Sequence, residues 1–139
     1  MRRLLAAVLV AGLGLGACGS QSSTSALRQW STQSNFDQSM GILLMDARHA
    51  ASALRSGASL NELHTVCAVL LIDVQSANAA LPTPDAQASN LLSRAYSDLG
   101  AGANRCYVAT SPEIRARALA DLSRGAGEIL EARARVASA

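Results

Sequence analysis

Apolar residues recur at alternating steps of three and four along three stretches of the chain, at 36–54, 60–81 and 118–136. This spacing places the apolar side chains along one face of an α-helix. The positions are Phe36, Met40, Leu43, Ala47, Ala50 and Leu54, then Leu60, Leu63, Cys67, Leu70, Val74, Ala77 and Leu81, and finally Ala118, Leu122, Gly125, Ile129, Ala132 and Val136. No strand-like alternation competes with this pattern, which therefore predicts three amphipathic helices.

A further helix, between the second and the last of these, has a weaker pattern. Its apolar positions are Leu92, Ala95 and Leu99, and the next three residues are Gly100, Ala101 and Gly102. A glycine in a helix interior costs about 1 kcal/mol relative to alanine. The regular helix is therefore expected to end or bend at these glycines.

Boundary signals separate the four predicted helices. Ser59-Leu60-Asn61-Glu62 fits a capping box at a helix start. Thr83-Pro84-Asp85 and Ser111-Pro112-Glu113 each combine a hydroxyl N-cap, a proline where no N–H is needed and an acid at the positive helix end. Gly57 suits the end of the first helix. Short connections between four amphipathic helices predict an all-α fold, an antiparallel up-down-up-down four-helix bundle.

The first 17 residues have the order of a secretory signal peptide. Arg2 and Arg3 precede an uncharged run from Leu4 to Ala17 that ends in small residues. At about 14 residues the run is too short for a membrane-spanning helix, which takes about 20. Residues 1–17 are therefore predicted to be a signal peptide that is removed.

The end of that run, Leu15-Gly16-Ala17-Cys18, resembles the lipobox of bacterial lipoproteins. The resemblance implies that the Cys18 thiol receives a diacylglyceryl group and that a peptidase cuts just before it. Two acyl chains make membrane attachment stable where a single chain is marginal. The implied location is the extracytoplasmic face of the cell membrane. The polar residues after Cys18 predict a flexible tether over 18–25, followed by one bundle domain over 26–139.

Charge and aromatic content narrow the classes of function. The chain has 12 basic and 10 acidic residues, and Arg2 and Arg3 leave with the signal, so the remainder is balanced in side-chain charge. This balance provides no basic face for nucleic acid, and an aromatic content of 3% gives few stacking platforms. All basic residues are arginine and alanine is abundant. With the lipobox, this composition resembles small helical envelope lipoproteins of unknown function from actinobacteria.

Cys67 and Cys106 remain once Cys18 carries the lipid. An exported protein meets oxidising conditions, so this pair predicts one disulfide. Its role is expected to be that of a structural staple, because a redox pair would need a close spacing such as Cys-x-x-Cys.

The position of that disulfide conflicts with straight helices. If the second helix runs to Leu81 and a straight third helix starts at Pro84, Cys67 and Cys106 lie about 21 Å and about 33 Å from the turn. This offset exceeds the roughly 7 Å that a disulfide allows between Cα atoms. The third helix is therefore predicted to break at the glycines, so that residues 103–108 fold back to reach Cys67.

Asp46, His49 and His64 raise the question of a metal site. Asp46 and His49 lie one turn apart on the first helix and His64 lies near the start of the second, so all three could converge at one end of the bundle. Met40 or Met45 could add a haem ligand. The set is incomplete for a dinuclear bundle site, which takes carboxylates from all four helices and paired Glu-x-x-His motifs. No metal or other cofactor is therefore expected.

The sequence contains no Gly-x-Ser-x-Gly elbow and no glycine-rich phosphate loop. The favoured function is a non-enzymatic accessory or protein-binding module of the cell envelope, anchored through Cys18 and binding another envelope protein. The alternative is a small-ligand, haem or metal carrier that uses the bundle end near His49 and His64. An exposed apolar stripe would favour the first function, and an enclosed polar pocket with both imidazoles would favour the second.

Overall fold

The computed structural model describes residues 23–139, and this part of the chain forms five α-helices and no strand. The helices are α1 (Ser23–Gln33), α2 (Phe36–Ser56), α3 (Leu60–Asn78), α4 (Ala86–Tyr107) and α5 (Pro112–Ala137). The all-α prediction is confirmed at this level. The predicted signal peptide, the lipobox cysteine Cys18 and the start of the tether lie outside the described residues.

The apolar pattern does not predict α1, whose first residues fall in the segment 18–25 expected to be a tether. Leu27 is the buried residue of this helix. The indole N–H of Trp30 donates to the carbonyl of Ala80 at 3.1 Å, and the Trp30 ring lies 5.3 Å from the ring of Phe36. These contacts hold α1 against the rest of the fold.

Three of the predicted helix boundaries are confirmed by their capping geometry. Gly57 ends α2 in the left-handed region with a φ of 73°. The hydroxyl of Ser59 accepts the N–H of Glu62 at 3.3 Å, and the hydroxyl of Ser111 accepts the N–H of Ile114 at 3.3 Å. Each bond satisfies a backbone donor that a helix start leaves without an intrahelical partner.

The start of α4 differs from the prediction, because Asp85 and not Thr83 is its N-cap. The Asp85 carboxylate accepts the N–H of Ala88 at 2.7 Å. The Thr83 hydroxyl accepts the N–H of Asp85 at 3.1 Å and so orders the connection that precedes the helix. Because the Asp85 carboxylate reaches an N–H group of the first turn, it takes the capping role that was predicted for the Thr83 hydroxyl.

The core is built from the predicted apolar positions. Every position of the series on α2 and on α5 is buried. The buried members on α3 and α4 are Leu63, Cys67, Leu70, Val74, Leu92, Ala95 and Leu99. Leu60 departs from the pattern, because it lies in the first turn of α3 and is 41% exposed.

The helix α4 runs without a break through Gly100 to Gly102, so the predicted break is wrong. Gly102 is needed for close packing and not for a turn. A Cβ atom at Gly102 would lie 2.9 Å from Cδ2 of Leu122 on α5. Contact between the two helices therefore offsets the cost of placing glycine in a helix interior.

The cysteine pair is formed without the predicted fold-back of residues 103–108. Cys67 and Cys106 lie at disulfide-bonding distance, with their Cα atoms 6.0 Å apart. Both residues are fully buried. The bond therefore links α3 directly to the last turn of an unbroken α4.

The connection between α3 and α4 explains why a straight α4 is compatible with this bond. A Cβ atom at Gly100 would lie 3.9 Å from Cγ1 of Val74, so the last part of α3 lies beside the middle of α4. The first half of α4 therefore extends past the end of α3. Residues 79–85 span the distance from the end of α3 to the start of α4, whereas the prediction assumed a tight turn between the two helices.

Candidate functional site

The three residues considered for a metal site are not brought together. Asp46 is buried on α2, where the neighbouring carboxyl of Asp73 on α3 contributes to raising its pKa, whereas His49 is exposed. His64 stacks on Tyr107 of α4 with ring centroids 4.1 Å apart. In the described part of the chain, no three His, Cys, Asp or Glu side chains form a group that could hold a metal ion. The predicted convergence of Asp46, His49 and His64 is therefore wrong.

The two methionines considered as haem ligands also lie in different environments. Met40 is buried, and its Sδ lies 3.8 Å from the hydroxyl of Tyr96. Met45 is 49% exposed on the outside of α2. The two methionines therefore do not share one site.

A cavity of about 220 Å³ lies between α1, α2, α3 and α4, and we name it the Trp30 cavity. The chain has one Trp, one Phe and two Tyr, and Trp30, Phe36 and Tyr96 all line this cavity. Asp73 is the charged residue in the lining. The other lining residues are Ser34, Ser39, Met40, Ile42, Leu43, Ser76, Ala77 and Ala80.

The aromatic walls of the Trp30 cavity are held in place by their own polar groups. The Trp30 ring is oriented by its hydrogen bond to the Ala80 carbonyl. Within residues 23–139, the Tyr96 hydroxyl has the Met40 sulfur as its hydrogen-bond partner, and a thioether sulfur is a weak acceptor. Burial raises the pKa of Tyr96 to about 12, so this hydroxyl remains a hydrogen-bond donor at neutral pH.

The Asp73 carboxylate forms part of an acidic pair with Asp46. Burial raises the pKa of Asp46, and the hydrogen bond and negative charge of Asp73 raise it further, while His49 acts in the opposite direction. Among the described residues, neither carboxylate has an arginine within ion-pair distance. The Asp46–Asp73 pair therefore lies beside an aromatic cavity without an arginine partner.

A second depression of about 350 Å³ lies between α2 and α5, and we name it the α2–α5 groove. Its floor consists of small and aliphatic side chains, and Arg48 and Arg55 line it from α2. The remaining residues are Leu44, Ala47, Ala51, Leu119, Leu122, Ser123, Ala126, Gly127 and Leu130. Leu130 is 52% exposed although it is a large apolar residue.

The two helices of the α2–α5 groove are joined near both ends. Near one end, Arg115 of α5 donates to the carbonyls of Leu54 at 3.4 Å and Ala58 at 2.9 Å. Toward the other end, Arg133 pairs with Asp37 at 3.6 Å. Between these contacts α5 presents open space, because a Cβ atom at Gly127 would meet no atom within 4 Å.

The charges of the α2–α5 groove are not balanced. Within the part of the chain that the structure describes, Arg48 and Arg55 form no ion pair. Other arginines are paired, including Arg94 with Glu128 at 2.7 Å. The groove therefore combines an apolar floor with unpaired positive charge.

Neither the Trp30 cavity nor the α2–α5 groove was predicted from the sequence. The few aromatic residues could have indicated the Trp30 cavity. Trp30 and Phe36 are only six positions apart, and Tyr96 belongs to the apolar face of α4. The groove had no comparable signal. Arg48 and Arg55 fall on the polar side of α2, where arginine is common on any helix.

No helix among residues 23–139 is both long enough and apolar enough to cross a membrane. Comparisons with protein-family models, with curated proteins and with solved structures find no match for this chain.

Proposed function

We propose that the chain is a lipid-anchored, non-enzymatic binding module of the cell envelope whose α2–α5 groove docks an acidic amphipathic helix of another envelope protein. The observation that carries this proposal is an apolar groove between two helices, lined by two unpaired arginines. The cellular location rests on the lipobox residues that end at Cys18.

The dimensions of the groove suit a helical partner. The lining from Leu44 to Arg55 corresponds to a rise of about 16 Å, or three helical turns. Small side chains such as Ala47 and Ala51, together with Gly127, leave room for the apolar ridge of another helix. Recognition of this kind reads apolar residues spaced along one face of the partner.

The arginines add a condition on the charge of the partner. Arg48 and Arg55 are seven positions apart on α2, which corresponds to about 10 Å or two turns. Two acidic residues with the same spacing on a docked helix could therefore reach both guanidinium groups. Arginine suits this role because its planar donors match a carboxylate.

The chemistry of the groove favours binding over catalysis. Its lining contains arginine, serine, glycine and apolar side chains, and it contains no histidine, cysteine or carboxylate. Ser123 therefore has no base beside it that would activate it as a nucleophile.

The proposed arrangement of α2 to α5 is an up-down-up-down antiparallel bundle, with α1 packed alongside. The contacts of α3 with α4 support it, because Cys67 lies beside Cys106 and Val74 lies beside Gly100. These two pairs run in opposite chain directions. An antiparallel bundle would leave α2 and α5 as neighbours, with the groove on its outer surface.

A carrier function near His49 and His64 has less support. The two histidines lie on different surfaces, and neither lines the Trp30 cavity.

The anchor is tested by labelling cells with a fatty-acid analogue. Cys18→Ala is expected to abolish labelling and to release the protein from the membrane fraction, because the thiol is the attachment point that the lipobox implies. Ser20→Ala is the matched control and is expected to remain labelled. Persistent labelling of Cys18→Ala would contradict the anchor.

The docking surface is tested by site-specific photocrosslinking in cells that make the anchored protein. A benzophenone amino acid at Ser123 lies in the groove, and the same amino acid at Ser93 on α4 is the positional control. An adduct with an envelope protein is expected from position 123 and not from position 93. Mass spectrometry of the adduct then identifies the crosslinked segment, which should be an acidic amphipathic helix.

Charge reversal distinguishes the groove from general electrostatic attraction. Arg48→Glu with Arg55→Glu is expected to abolish the adduct, whereas Arg28→Glu with Arg117→Glu changes the net charge equally and should preserve it. An adduct with a second copy of this chain, or with lipid, would contradict the proposed partner. Equal loss of the adduct in both double variants would contradict the role of the groove arginines.

A further inference from the structure

We propose that the Trp30 cavity is a binding site for a small organic cation, specifically an amine with a single aromatic ring, and that Asp73 is its counter-ion. This inference is independent of the proposed docking function, because the cavity and the α2–α5 groove share no lining residue. Three features of the cavity support it: its size, its aromatic walls and its charge.

The size of the cavity suits a ligand with one ring. A dry apolar cavity of about 150 Å³ accommodates benzene. The Trp30 cavity is somewhat larger, at about 220 Å³, and is therefore large enough for one ring with a short chain. A two-carbon chain between ring and amine would let the ring pack among Phe36, Met40 and Leu43 while the amine reaches Asp73.

The aromatic walls favour a cation over a neutral molecule. Indole and phenol rings attract cations through the negative potential of their faces, and tryptophan does so most strongly. The Trp30 ring is already oriented by its hydrogen bond to Ala80, so little conformational freedom would be lost when a ligand binds. The hydroxyl of Tyr96 could orient a ligand that carries a ring hydroxyl, because its present partner is a weakly accepting sulfur.

The charge of the cavity is the strongest argument. Asp73 is the charged residue that lines it, and the negative charge of Asp73 also acts on the buried carboxyl of Asp46. No arginine of the described residues pairs with either carboxyl group. A bound ammonium group beside Asp73 would supply a positive charge and would favour the ionised form of both carboxyl groups.

The chain carries its own probe for this site. Trp30 is the single tryptophan of the sequence and lies in the cavity wall, so its fluorescence reports binding there. The lipidated full chain in detergent is titrated with 2-phenylethylamine, with 2-phenylethanol as the neutral analogue of similar shape and with phenylacetate as the anion. A detergent blank corrects for partitioning of each compound.

The amine is expected to give a saturable fluorescence change, with a dissociation constant at least tenfold lower than that of the alcohol, and phenylacetate is expected not to bind. Asp73→Asn should weaken amine binding to the level of the alcohol. The matched control Asp37→Asn changes an exposed aspartate of α2 that does not line the cavity, and it should leave amine binding unchanged.

Loss of folding cannot account for the expected loss of binding. An asparagine at position 73 keeps the size of the side chain and removes a carboxyl group whose negative charge acts against Asp46, so Asp73→Asn should unfold at a temperature no lower than that of the natural chain. Equal affinity for amine and alcohol would overturn the proposal. So would an Asp73→Asn variant that is folded and binds the amine normally, or the absence of any saturable change up to millimolar amine.

Discussion

The α4–α5 interface and the surfaces around α2 use the same types of residue in opposite ways. Between α4 and α5, glycine permits close contact: a Cβ atom at Gly125 would lie 2.7 Å from Cγ of Leu99 and 2.9 Å from the carbonyl oxygen of Ala95. On the side of α5 that faces α2, Gly127 leaves open space. Two glycines that are two positions apart thus have different roles: Gly125 permits close packing against α4, and Gly127 leaves space in the α2–α5 groove.

Charged residues show the same contrast. Across the α4–α5 interface, Arg135 pairs with Asp85 at 2.7 Å, and the buried carboxylate of Asp121 lies between Arg105 and Arg124. Around α2, arginines that line the groove are unpaired, and the carboxylates of Asp46 and Asp73 face each other. At the α4–α5 interface the carboxylates have arginine partners, whereas, among the described residues, those two carboxyl groups and the groove arginines around α2 have no ion-pair partner, and two depressions lie beside this helix.

The largest expected effect is at Gly125. Gly125→Ala should lower the free energy of unfolding by about 2 kcal/mol, because its methyl group has no room between Leu99 and the backbone of Ala95 and the helices must separate. Chemical denaturation of the variant checks this value. An unchanged midpoint would show that α4 and α5 are not as close as described.

The matched substitution on the groove side of α5 should change the free energy of unfolding in the opposite direction. Gly127→Ala is expected to raise the free energy of unfolding by up to about 1 kcal/mol, because alanine favours the helix and its methyl group meets nothing. Gly41→Ala on α2 has equally open surroundings and serves as the control, with a similar gain expected. A loss of stability for Gly127→Ala alone would mean that the groove is closed.

The contributions of Asp85 and Asp46 to the stability of the fold should change with pH in opposite directions. The hydrogen bond and charge of Arg135 lower the pKa of Asp85 below its ordinary value of 3.8, so its contribution to stability is present above that pH and is lost as the pH falls through the lowered pKa. Asp85→Asn should retain the N-cap and should lower stability at neutral pH. It should also remove the part of the decrease in stability at acid pH that is due to protonation of Asp85.

Asp46 should behave in the reverse way. Burial, and then Asp73, raise its pKa above 3.8, so the folded chain holds a proton that the unfolded chain has released. Stability should therefore fall as the pH rises from about 3.8 through the raised pKa of Asp46. Asp46→Asn is expected to remove this fall, as measured by thermal unfolding across the acid range. A natural chain and variant with parallel pH profiles would contradict the acidic pair.

The smallest effect on stability is expected for the groove arginines. Arg48→Glu with Arg55→Glu should change the free energy of unfolding by no more than about 0.5 kcal/mol, because neither side chain is paired in the fold. A much larger loss would indicate that these arginines are structural, and their proposed role in docking would then fail.

The sequence predicted the parts of this fold that depend on local chemistry. The caps at Ser59 and Ser111 and the apolar series of α2 and α5 follow from hydrogen-bonding preference and helical spacing. The break at Gly100 to Gly102 was predicted wrongly, because the cost of glycine in a helix is local whereas the gain from packing Gly102 against α5 is tertiary. The same limit hid α1, which is held by single contacts of Leu27 and Trp30.

The candidate sites were less predictable for a related reason. The Trp30 cavity depends on how α1 meets α2, α3 and α4, and the groove depends on the separation of α2 and α5, neither of which is encoded in a repeat along the chain. Asp46 was singled out from the sequence, but its partner is Asp73 and not the histidines. Spacing along α2 singled out Asp46, but it could not identify Asp73 as its neighbour because Asp73 lies on another helix.

The central claim, that α2 and α5 form a docking groove for an acidic helix, is tested most directly by peptide binding to the full chain. The probe is an amphipathic helical peptide of about 15 residues with two glutamates seven positions apart beside its apolar face. A peptide of the same composition with both glutamates on the opposite face is the control. NMR shifts at Arg48, Arg55, Ser123 and Gly127 with the first peptide, and weaker or no shifts with the second, are the predicted result. Equal binding of both peptides, or shifts confined to other surfaces, would contradict the claim.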